Sequence, residues 1–151
     1  MKLAIDRLAE DAERVPLTLL LPRFSLSNTE AWAQSGSVAS WLIAQGFGPG
    51  ALALAVSAPD SAERAVLTLG ALRAGALVVE AAGEAALAFA VQGGRLAASG
   101  GIALAALARS SIDAAVAERR LHIGADTPAR IIRGTCRCHG DFATIAEAVA
   151  D

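Results

Sequence analysis

Two apolar runs separated by a single helical stretch constrain this chain more than any other feature. Ala51-Leu-Ala-Leu-Ala-Val56 and Ala76-Leu-Val-Val79 are continuous hydrophobic segments of strand length. Lacking polar alternation, they read as strands covered on both faces, which is the habit of parallel sheets. Between them Ser57-Ala-Pro-Asp60 turns the chain into a helix through Arg73, with Asp60 or Ser61 as its cap and Gly75 as its stop. Leu17-Thr-Leu-Leu-Leu21, bounded by Pro16 and Pro22, reads as an earlier strand. A helix capped by Asn28 or Thr29 follows and carries Ala31, Trp32, Val38, Trp41, Leu42 and Ile43 up to the break Gly46-Phe-Gly-Pro-Gly50. Residues 16–80 therefore predict strand–helix–strand–helix–strand with right-handed crossovers in a parallel sheet.

The flanks are read the same way. Leu3, Ile5, Leu8, Ala9 and Ala12 recur at helical spacing opposite Asp6, Arg7, Glu10, Asp11 and Glu13. Alanine-rich Ala81–Gln92 predicts a helix despite Gly83, and Arg95–Ala98 a short strand, with Gly93-Gly94 and Gly100-Gly101 as tight turns. Ile102–Arg109 and Ile112–Arg120 predict helices, or one broken helix; Arg130–Arg133 predicts a strand and Phe142–Ala150 a closing helix. The expected architecture is a single α/β domain over residues 1–151. It has three layers, a mostly parallel sheet with helices on both faces, in flavodoxin-like layering.

Composition closes other classes. A formal charge of −2 supplies no basic field for nucleic acid. The apolar runs fall short of the roughly 18–20 residues of a membrane span. The acid-studded start, MKLAIDRLAEDAER, is not a signal peptide, so a cytoplasmic address is expected. Hydrophobic residues nevertheless make up 54% of the chain. So apolar a sequence is expected to expose a patch that a partner covers, either a second copy or a larger protein subunit.

Ser25 to Glu80 resembles the N-terminal region of the adenylate-forming enzymes, the acyl-CoA synthetase and AMP-binding ligase superfamily. The resemblance is carried by the order and spacing of several phrases: Phe24-Ser-Leu-Ser-Asn-Thr-Glu-Ala-Trp32, Trp41-Leu-Ile-Ala-Gln-Gly-Phe-Gly-Pro-Gly50, and Ala51–Val56. They continue in Ser57-Ala-Pro-Asp-Ser-Ala-Glu63 and Thr68-Leu-Gly-Ala-Leu-Arg-Ala-Gly-Ala-Leu-Val-Val79. It implies the N-terminal subdomain of such an enzyme and, further along, a Ser/Thr/Gly-rich loop ending in Pro-Lys-Gly that cradles the ATP phosphates. The matching stretch is Asp126–Gly140, in which Gly134-Thr-Cys-Arg-Cys-His-Gly140 replaces that loop; the sole lysine is Lys2. The adenine-side aromatic motif, the ribose-binding Asp and the C-terminal Lys have no counterparts. The chain is therefore expected not to be a ligase by itself, but a degenerate relative acting as an oligomerising or partner-binding module. An enzyme on this pattern would be an AMP-forming acid–thiol ligase completed by another chain.

The alternative is a binder of an acyl, carboxylate or nucleotide ligand. Its crevice would lie at the carboxyl ends of the strands, near Ser57, Asp60 and Glu80. Gly134, Thr135 and Gly140 occupy the degenerate phosphate-loop position, the candidate contact for ATP or AMP. Cys136, Cys138 and His139 are donors of the type that holds zinc, with His122, Asp126 or Asp141 needed to complete a site. Their simpler reading is a turn after a strand. Arg119, Arg120, His122, Arg130, Arg133 and Arg137 make the second half locally basic, which reads as a solvated surface or as a dock for phosphate or carboxylate.

Overall fold

A computed structural model describes residues 2–21, 24–80, 82–108 and 114–150. The first helix, α1 (Ala4–Arg14), buries Ala4, Ile5 and Leu8 and turns its acidic side outward. β1 (Leu19–Leu21) and β2 (Leu26–Ser27) form a separate antiparallel pair. The first strand thus stands outside the parallel sheet that was expected to include it. Leu17 stands in the left-handed region at φ +67°, so extended backbone begins only beyond it, and Leu17 and Leu19 are exposed rather than covered on both faces.

Ser27, not Asn28 or Thr29, caps α2 (Asn28–Ala44): its Oγ accepts the Glu30 N–H at 3.1 Å while the Glu30 carboxylate accepts the Ser27 N–H. Asn28 is freed to serve the preceding helix, its Nδ2 donating to the Asp11 carbonyl at 2.8 Å and to the Val15 carbonyl. β3 (Ala53–Ser57), α3 (Ala62–Ala74) and β4 (Leu77–Val79) form the expected crossover unit, with Ser61 capping α3 and Gly75 closing it in the left-handed region at φ +75°.

Residues 81–92 depart from the helical expectation. A 3-10 turn at Ala82–Glu84 leads into β5 (Leu87–Gln92), which pairs through Gly93-Gly94 with β6 (Arg95–Ala98). Alanine favours helix, but Leu87, Phe89 and Val91 alternate with alanines at a period of two, and the Gly-Gly turn has φ +58° and +80°. That turn closes a two-residue hairpin and settles the segment as strand. α4 (Leu104–Leu107) and α5 (Ala114–Arg120) are shorter than expected; part of the expected helices falls in 109–113, outside the described residues. β7 (Pro128–Ile132) and β8 (Thr135–Cys138) make a second hairpin before α6 (Ile145–Val149).

The main sheet has the order β6-β5-β3-β4-β7-β8. Its four inner strands are parallel, and each rim strand returns antiparallel from a hairpin. The α/β class and mostly parallel sheet are as expected. The helices contact one another as a connected set. They share their core with the sheet face bearing Leu54, Phe89 and Leu96. On the opposite face lie Ala55, Val79 and Ala97, and the Ala82–Glu84 turn contacts β3. Among the described residues no helix is long and apolar enough to cross a membrane.

Small residues set the spacing of the helices. A Cβ on Gly70 of α3 would come within 2.6 Å of Val38 Cγ1 on α2 and 3.3 Å of the Ser35 carbonyl. The two backbones approach so closely because that position carries no side chain.

Candidate functional site

Parallel strands leave their carboxyl ends on one edge of the sheet, and here the ends of β3, β4 and β7 frame a crevice of about 560 Å³ under the first turns of α3. Ser57 ends β3, Glu80 follows β4, and Arg133 follows β7; Arg64 and Thr68 look in from α3. Three arginines, Arg64, Arg130 and Arg133, stand against the single carboxylate of Glu80 on its walls.

Several of these groups already have structural work. The Glu80 carboxylate accepts the Arg133 N–H at 3.0 Å, tying β4 to the turn after β7. Arg64 Nη1 pairs with Asp60 Oδ1 at 2.6 Å across one helical turn. Arg130, only 6% exposed, closes the end of α6 by donating to the carbonyls of Ala150 at 2.6 Å and of Ala148, with its guanidinium over the Phe142 ring. A cation at a helix C-terminus satisfies carbonyls that have no intrahelical donor. The reading of Arg130 as part of a solvated basic surface is corrected by that burial.

Ser57 and Glu80 line the same crevice. Asp60 does not line it: it faces a neighbouring cleft with Phe24, Ser61 and Val149, joined to the crevice through Arg64. The phosphate-loop candidates do not gather either. Gly134 sits with Arg133 in the two-residue turn between β7 and β8, at φ +76° and +52°. Thr135 is the next residue of β8, paired with Ile132, whereas Gly140 lies beyond the far end of that strand. The Gly140 N–H donates to the Ala125 carbonyl at 2.8 Å, and a Cβ there would stand 2.7 Å from the Ala125 Cβ. Its lack of a side chain serves a backbone crossing.

Cys136 is exposed and Cys138 half-buried on β8, while His139 is 2% exposed. Desolvation first, then neighbouring Cys136 and Asp141, push the Cys138 thiol up. Burial, helped by the nearby Arg120 charge, holds the His139 imidazole down at about 4, and its Nε2 has no hydrogen-bond partner. The strand thus places thiols and imidazole in different environments. Among the described residues no three His, Cys, Asp or Glu side chains gather as a metal site. Arg64 and Thr68 are the crevice residues that sequence reasoning passed over. Their signal was positional: they follow Ser61 by one and two helical turns, on the side of α3 nearest the strand ends.

No family model matches the chain, and no curated protein matches it. Among solved structures it is similar to the inhibitor-bound N-terminal domain of FACL13 from Mycobacterium tuberculosis, a fatty acyl-CoA ligase. The two are 26% identical with a TM-score of 0.45, over 54% of this chain and 21% of that chain. The match therefore spans about a fifth of that chain's length.

Proposed function

We propose that this chain is a relative of the N-terminal region of acyl-CoA synthetases that binds without adenylating. The phrases that carry the resemblance fall on the elements it implies. Trp41–Gly50 ends α2 and makes the following turn, Ala51–Val56 supplies β3, Ser57–Glu63 opens α3, and Thr68–Val79 ends α3 and forms β4. The observation that carries the non-adenylating part is the Arg133–Gly134 turn. Where a phosphate loop is implied, β7 reverses through two residues into β8, and the Arg133 N–H is held by Glu80. A phosphate cradle needs several consecutive N–H groups pointing at one anion, and a two-residue hairpin supports no such ring. Calorimetric titration with ATP and with AMP is expected to give no saturable heat. A one-to-one isotherm with either nucleotide would overturn the reading.

A second reading concerns assembly, and the stretch after α1 favours it. Val15, Leu17 and Leu19 are 49%, 74% and 50% exposed within five residues, and β1 is paired on one side by β2. Exposed apolar side chains at every second position beside a strand edge suit strand-to-strand contact with a second copy. Light scattering is expected to return a dimer, and Leu17→Asp with Leu19→Asp a monomer. A wild-type chain that stays monomeric at high micromolar concentration would sink this reading.

A further inference from the structure

Away from the strand-end crevice, a cleft of about 350 Å³ opens between α1, α2, α3 and α5. Ile5, Ala9, Trp32, Val116 and Ala117 give it apolar walls, and its size falls within the ~300–1,000 Å³ of small-molecule pockets. It shares no lining residue with the crevice. Three charged side chains reach it. Asp6 and Arg120 neutralise each other in a two-pronged pair, Nε to Oδ1 and Nη2 to Oδ2, both 2.7 Å. The third, Arg73, has no carboxylate partner among the described residues, although it is only 6% exposed.

Arg73 is held rigidly. Its Nη1 donates to the Trp32 carbonyl at 2.6 Å and to Ser35 Oγ at 3.0 Å, and its guanidinium lies 3.8 Å from the centre of the Trp32 ring. Both bonds use one nitrogen. Nε and Nη2, the side-by-side donors that match the two oxygens of a carboxylate, hold no partner among the described residues. Burying a cation without a counter-ion is costly, and the half-charge at the end of α3 offsets only part of that cost. Desolvation alone brings this guanidinium down to about 10, with no acid acting against it. The cleft therefore carries one net positive charge within apolar walls.

We infer that this cleft binds a small monocarboxylate with an apolar body, its carboxylate seated on Nε and Nη2 of Arg73 and its body against Trp32, Ala9 and Ala117. The inference is independent of the nucleotide reading, since no residue of the crevice takes part.

Three probes of one shape and different charge test it: phenylacetate, 2-phenylethanol and phenethylamine, titrated by calorimetry. Trp32 fluorescence is followed in parallel in a Trp41→Phe background, where Trp32 is the remaining tryptophan. Phenylacetate is expected to bind one-to-one and to perturb Trp32. The alcohol should bind at least about tenfold more weakly and the amine not measurably. Arg73→Met should weaken phenylacetate about tenfold or more while melting at the same or a higher temperature, because it removes an unpaired buried charge. Ala117→Leu, which fills the cleft and leaves the cation in place, should also abolish binding, and decides the matter if Arg73→Met does not fold. Absence of saturable phenylacetate binding, equal binding of the alcohol, or undiminished binding by either folded variant would overturn the inference.

Discussion

His139 shows how burial, helped by a nearby cation, turns a side chain into a pH-dependent stabiliser. Its imidazole is held at about 4 in the folded chain against an ordinary 6.5, so between those values the unfolded chain binds the extra proton. Stability is complete above pH 6.5, falls as the pH drops through that window, and levels off below about 4. A shift of this size is worth at most about 3 kcal/mol. Urea denaturation at several pH values between 7 and 4 is expected to show that slope, and His139→Phe to flatten it. Asp6 belongs to a lower window: the hydrogen-bonded Arg120 holds its carboxyl below 3.8, so its contribution is lost only in stronger acid. Neither effect was legible in the sequence. His139 stood beside two cysteines and drew attention as a ligand, whereas its burial is a tertiary fact. Arg73, in the last turn of α3, and Arg130, on β7, were hidden in the same way, because an arginine reads as surface until the packing is known.

At the scale of elements, local chemistry was readable wherever a turn or cap carried it. Ser61 and Gly75 bound α3 as expected, and Gly93-Gly94 made its turn. The failures came where alanine blurred the period, as in β5, or where strand length was mistaken for sheet membership, as in β1. The contact between α2 and α3 was not readable from period, since Ser35, Gly36 and Ser37 give little apolar contrast with the far side of the helix; the close approach at Gly70 is to Ser35 and Val38. Gly70→Val is expected to destabilise the chain by about 1–3 kcal/mol through overpacking against Val38. Val38→Ala in that background should recover part of the loss, which a double-mutant cycle by chemical denaturation measures. Additive losses would mean the clash is relieved elsewhere.

For the molecule as a whole, the strand–helix–strand order fixed the direction of the crossover and hence the edge on which the crevice lies. It could not specify the crevice's charge, because Arg130 arrives from β7 and Glu80 is drawn to the turn beyond it. The candidate residues Ser57 and Glu80 were found by asking which positions end strands. Gly134, Thr135 and Gly140 were chosen by correspondence, and the length of β8 parts Gly140 from the other two. The same hairpin is joined to the rest of the sheet by a short seam: Val78 beside Arg130 and Val79 beside Ile131, some fifty positions apart along the chain. Contacts of such long sequence separation close late in folding, and a seam this brief opens more readily than β3 against its neighbours. Hydrogen exchange is expected to find the amides of β7 and β8 less protected than those of β3. Equal protection would mean that the sheet opens as one cooperative unit. With the lower protection, the crevice wall that carries Arg130 and Arg133 is the one that loosens first, and the Glu80 bond to the Arg133 N–H is the strap across it.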